Sequence, residues 1–250
     1  MAAFTTNSRQ ALGVATILFA IFFNVPFAIL AASFDYPDIL RRSPGEVLDR
    51  FAEGGAALVL TWHAFAVAAL LLVPLASAMA LTPSRIAATP IRAIGAAIAG
   101  ALAGLLQAMG LWRWVFVVPD LAHIHAEPAT PADAVIAAER AFAVLNAYGG
   151  VAIGEHMGQL MAALFATFLA GLQWSEGLRR TAAIGLAAAA FIAFGTTEGL
   201  AIALGRSGEL FATATVVGFL VLTLWLILTG ASELRSGRRA GRLNKHDSSS

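Results

Sequence analysis

Apolar residues run along this chain in long stretches that exceed any soluble helix or strand pattern, and most polar residues collect between them. A helix needs roughly 20 apolar residues to cross a bilayer. Six stretches reach that length, at 11–32, 55–81, 91–118, 148–174, 181–204 and 210–232. The pattern predicts an all-α integral membrane bundle of six transmembrane helices, one domain over residues 1–234. Residues 235–250 are basic and polar, end in HDSSS, and read as a disordered cytoplasmic tail. The first stretch reads as a retained helix rather than a cleaved leader. It is longer than a signal h-region of roughly 7–15 residues, it holds Asn24 and Pro26, and no A-x-A site follows it. Asn24 with Pro26, and Pro74 in the second stretch, mark expected kinks.

Basic residues set the expected orientation. With the N-terminus in the cytoplasm, Arg9, Arg85, Arg92, Arg179, Arg180 and the tail arginines all fall inside. The intervening outer segments are mainly acidic, among them Asp35, Asp38, Glu46, Asp49, Asp120, Glu127, Asp133 and Glu139. Both termini are therefore expected inside, on the cytoplasmic face. Two outer segments carry helix-start signals. In SPGE, Ser43 can cap, Pro44 suits the first helical position and Glu46 can reach back to the cap. TPAD at 130–133 repeats this less well. The HIH at His123 and His125 reads as part of a solvated acidic loop.

Composition agrees with the pattern. The chain is 59% hydrophobic and 12% charged, whereas soluble domains are about a quarter charged. A formal net charge of +1 gives no basis for binding nucleic acid. The absence of cysteine excludes disulfides, thiolate metal sites and thiol nucleophiles. Gly-rich nucleotide loops, H-E-x-x-H and G-x-S-x-G are also absent.

The remaining chemistry lies in a few polar residues at membrane depth. Counted at about 1.5 Å per residue, Asn24, His63, Arg113, Glu155, His156 and Glu198 all fall in the outer half of the bilayer, while the inner half holds almost no ionisable group. Charge at such depth is costly unless paired or wetted, and it usually faces a bundle interior or cavity. Arg113 cannot lose its proton, so a carboxylate partner is expected, Glu155 or Glu198. His156 and Gln159 extend Glu155 into a polar stripe on an α-helix. Gly150, Gly154 and Gly158 form a G-x-x-x-G-x-x-x-G series, and Gly100 with Gly104 repeats the spacing; small residues there let helices three and four approach closely.

Three functions fit these residues. The first is a ligand-binding or transport-related protein with a pocket lined by His63, Arg113, Glu155, His156, Gln159 and Glu198. The second is a membrane enzyme or redox protein in which His63 and His156 ligate haem or a metal. The third is a structural or assembly protein whose polar cluster only fixes helix packing. The residues specify no cofactor.

TWHAFAVAALLLVPLA, LLQAMGLWRWVFVVP and LNAYGGVAIGEHMGQL together resemble a bacterial family of six-helix membrane proteins, domain of unknown function 4386. The likeness runs from Arg9 to about Arg235. Its most specific parts are Arg113, Trp114 and Pro119, then Gly154, Glu155, His156, Gly158 and Gln159. The resemblance implies a six-helix integral membrane protein and supplies no substrate, cofactor or reaction.

Overall fold

A computed structural model describes residues 6–247, and all regular structure among the described residues is helical. Six helical stretches are long and apolar enough to cross a membrane: Asn7–Phe34, Pro44–Ala80, Pro90–Ala126, Ala132–Ser175, Arg179–Ala203 and Glu209–Gly237. Each covers its predicted stretch to within one residue. The chain is a multi-pass membrane protein.

The elements within these spans break where the backbone chemistry requires it. Helix α1 (Thr6–Phe34) carries Pro26 without ending. A 3₁₀ turn (Asp38–Arg41) follows. Helix α2 (Pro44–Leu70) starts at the predicted proline, and Ser43 Oγ accepts from the Glu46 amide. Glu46 itself pairs with Arg42 at 2.6 Å rather than reaching back to the cap. Gly55, at φ 54°, takes a left-handed conformation suited to glycine and kinks α2 between its amphipathic start and its apolar length. Pro74 has no N–H to offer Leu70, so the second span is interrupted at Leu71 and resumes as α3 (Leu72–Ala80).

Helix α4 (Pro83–Ala88) is a short connector to α5 (Pro90–Phe116). Pro119 separates α5 from α6 (Val118–Ala126) in the same way. Helix α7 starts at Ala132 and runs to Leu145, with Pro131 rather than Thr130 before it and no side-chain cap. It passes directly into a π-helix (Asn146–Met157), which continues as α8 (Gly158–Ser175). Helices α9 (Arg179–Gly195), α10 (Glu198–Ala203) and α11 (Glu209–Asp247) complete the chain. Helix α11 runs on to Asp247, into the basic segment 235–250, whose last three residues lie outside the described ones. Arg, Ala, Leu and Lys are good helix formers, and extending an existing helix needs no new nucleus.

The described residues divide into two compact units. One comprises the described parts of 1–21, 71–104 and 159–250. In it Gly100 packs on Ala76 and Phe165, and Gly195 of α9 lies against Thr215 of α11. A satisfied polar network lies inside it. Trp225 Nε1 donates to Gln173 Oε1 at 2.9 Å, and Gln173 Nε2 donates to Thr229 at 2.9 Å. Arg85, only 6% exposed, binds Glu176 through Nε at 2.6 Å and Nη2 at 2.8 Å and also donates to the Met79 carbonyl.

The other unit comprises 22–70 and 105–158. Its core joins Leu30, Phe34, Ile39, Val47, Leu48, Phe51, Trp62, Trp114, Val118 and Phe142. Trp62 and Trp114 stack with centroids 4.8 Å apart and planes 8° from parallel, and Phe34 meets both edge-on. The start of α2 buries Val47, Leu48 and Phe51 here and α7 adds Phe142 toward its C-terminal end, so both segments form part of a packed core.

Candidate functional site

Arg113 stands near the C-terminal end of α5 and is 7% exposed. Burying an arginine is expensive unless its N–H groups find acceptors. Here Nη2 donates to Asn146 Oδ1 at 3.0 Å and Nη1 donates to the Gly110 carbonyl. The guanidinium also lies 5.0 Å from the Trp114 ring centroid, within cation–π range. Both hydrogen-bond acceptors are uncharged. Gly150 makes room for the group: a Cβ there would fall 2.6 Å from Nη2 and 2.8 Å from Cζ.

Glu155 lies close enough to Arg113 to act on it electrostatically, but its hydrogen bond goes to another cation. Its Oε2 accepts from Arg41 Nη2 at 2.7 Å. Arg41 comes from the 3₁₀ turn, whose Leu40 carbonyl accepts from Asn146 Nδ2 at 3.3 Å. Asn146 therefore joins the 3₁₀ turn to Arg113, and Glu155 fastens the same turn one residue further on.

The π-helix explains how one element makes both contacts. Nine residues separate Asn146 from Glu155. That is two and a half turns of an α-helix, which would place them on opposite faces. In a π-helix of about 4.4 residues per turn it is close to two full turns. Asn146, Gly150 and Glu155 thus share one stripe. The segment is rich in glycine, and Gly154 approaches Gly110 backbone to backbone, a Cβ at Gly110 falling 2.7 Å from Gly154 Cα. Gly158 lies against Gln107 in the same way. The close partner of this series in α5 is Gly110; Gly100 packs elsewhere, and Gly104 is buried.

Of the remaining candidates, His156 is half-buried beside Glu155 on the π-helix. His63 stands on the exposed side of α2, although Trp62 next to it is fully buried, and it makes none of the contacts that hold Arg113 or Glu155. Gln159 and Glu198 belong to the other unit, Gln159 half-buried at the start of α8 and Glu198 at the start of α10 beside Gly208. A cleft of about 720 Å³ is lined by Arg206, Ser207, Glu209, Leu210, Phe211 and Thr213, none of them a candidate. Among the described residues no three His, Asp or Glu side chains gather in a way that could hold a metal ion.

The sequence did not mark Arg41, Asn146 or Gly110. An asparagine at the entry to an apolar run is the one signal that could have found Asn146.

Several buried polar atoms near this site are unsatisfied within the chain: Arg113 Nε, Glu155 Oε1, and Nε1 of Trp62, Trp112 and Trp114. Buried polar groups nearly always find a partner, so these atoms set this region apart from the satisfied network around Gln173. Two guanidinium groups, Arg41 and Arg113, stand with the Glu155 carboxylate in this region.

No curated protein and no solved structure matches the chain. The family model Domain of unknown function (DUF4386) matches residues 11–230, and the chain belongs to that family.

Proposed function

We propose that this is a bacterial cytoplasmic-membrane protein, both termini inside, that binds a small anion bearing a hydrogen-bond donor at Arg113. The anion would accept from Arg113 Nε, and its donor would meet Glu155 Oε1. One observation supports the reading: Arg113 is buried and hydrogen-bonds to uncharged acceptors, while Glu155, which also acts on it electrostatically, gives its hydrogen bond to Arg41.

The test uses purified full-length protein in detergent, with melting temperature followed against acetate, lactate, bicarbonate and inorganic phosphate. A saturable rise for a donor-bearing anion, lost in Arg113→Gln, supports the reading. Equal, non-saturating responses in both proteins would leave Arg113 a packing element.

A further inference from the structure

We propose that the arginines around the α4–α5 and α8–α9 turns bind the phosphate of an anionic phospholipid. Four membrane spans end at these turns, at Ala80, Pro90, Ser175 and Arg179. All four ends belong to the same compact unit. Gly177, at φ 83°, adopts the left-handed conformation that lets α8 turn into α9. Its amide donates to the Trp174 carbonyl at 3.1 Å, and the Leu178 amide donates to the Gln173 carbonyl at 2.9 Å. Two side-chain contacts tie the turns to each other. Arg85 of α4 binds Glu176, and Arg92 of α5 donates from Nη1 to Ser175 Oγ at 3.4 Å.

The charges on these turns do not balance. Segments 81–93 and 171–181 hold Arg85, Arg92, Arg179 and Arg180 against a single acid, Glu176. Glu176 gives both carboxylate oxygens to the buried Arg85. Arg92, Arg179 and Arg180 are exposed, and among the described residues no acid pairs with any of them. An arginine cannot shed its charge, and basic side chains at the ends of membrane helices attract anionic headgroups. The surface beside the arginines favours a lipid over a dissolved anion. Ile91 is 84% exposed and Trp174 is 49% exposed. An indole at a span end suits the headgroup level, and an acyl chain covers the adjoining isoleucine. A free phosphate would leave both bare.

Native mass spectrometry of the purified full-length protein in a neutral detergent measures the lipid it retains from equimolar phosphatidylglycerol and phosphatidylcholine. The parent retains phosphatidylglycerol in preference, and an excess of inorganic phosphate does not displace it. Arg92→Gln/Arg179→Gln/Arg180→Gln binds phosphatidylglycerol about tenfold more weakly or worse. Arg50→Gln/Arg140→Gln/Arg206→Gln removes the same charge from exposed positions outside these turns and keeps the parent affinity. The single variants Arg179→Gln and Arg180→Gln alter side chains without ion partners, so the fold stays intact, and each loses part of the affinity. Equal retention of the two lipids by the parent overturns the proposal. So does displacement by inorganic phosphate, which would make the ligand a soluble anion, or a loss in the first triple variant no greater than in the second.

Discussion

Arg41 and Glu155, 114 residues apart in sequence, meet at 2.7 Å and pin the 3₁₀ turn to the π-helix. Their side chains are 31% and 22% exposed. The pair is more sheltered than a surface bridge and less so than a core one. A double-mutant cycle of Arg41→Gln and Glu155→Gln, read by unfolding in detergent, should give a coupling of about 0.5–1.5 kcal/mol. A coupling of zero would mean that the pair adds nothing to the hold that Asn146 and the buried Ile39 and Leu40 already provide.

Adjacent glycines should respond very differently to alanine. At Gly150 the new Cβ would strike the Arg113 guanidinium, whereas at Gly149 the nearest atom is 3.7 Å away. Gly150→Ala should lose about 1–3 kcal/mol of stability by overpacking, and Gly149→Ala should stay close to the parent. In an Arg113→Ala background the Gly150→Ala penalty should shrink, because the obstructing group is gone. A penalty that persists there would place the clash elsewhere.

Arg85 donates two bonds to Glu176 and one to the Met79 carbonyl. Removing the acid strands a buried fork. Glu176→Gln should cost about 2–3 kcal/mol, and Arg85→Lys should not restore full stability, since an ammonium cannot reproduce bidentate geometry. Full rescue by lysine would reduce the pair to a point-charge attraction.

Gln173 satisfies Trp225 with its carbonyl and Thr229 with its amide. Gln173→Leu should lower stability by about 0.5–2 kcal/mol, the range of interhelical hydrogen bonds in membranes. Combining it with Trp225→Phe, which removes the stranded donor, should cost less than the two changes added. Strict additivity would show that the network carries no coupling.

The spans were legible because a bilayer imposes a length on every apolar run. Arg113 and Glu155 also stood out, as charge where charge is expensive. Their partners did not. Arg41 sits in an outer segment among other charges, and nothing local distinguishes it from Arg42. Asn146 and Glu155 lie on opposite faces when read at α-helical period; only the wider turn of the π-helix aligns them. His125 read as a solvated loop residue because the carboxylates beside its ring, Asp49 and Glu139, come from α2 and α7, 76 and 14 residues away. Gln173 and Trp225 are unremarkable in sequence, since a satisfied pair announces itself only when two distant helices are brought together.

The wide turns between Asn146 and Glu155 make that stretch a ruler. Its grip on the 3₁₀ turn depends on how many residues separate the amide from the acid as much as on what those residues are. Inserting or deleting one of them would swing Glu155 through roughly a quarter of a circle. Both end groups would keep their chemistry, and the acid would lose its reach to Arg41.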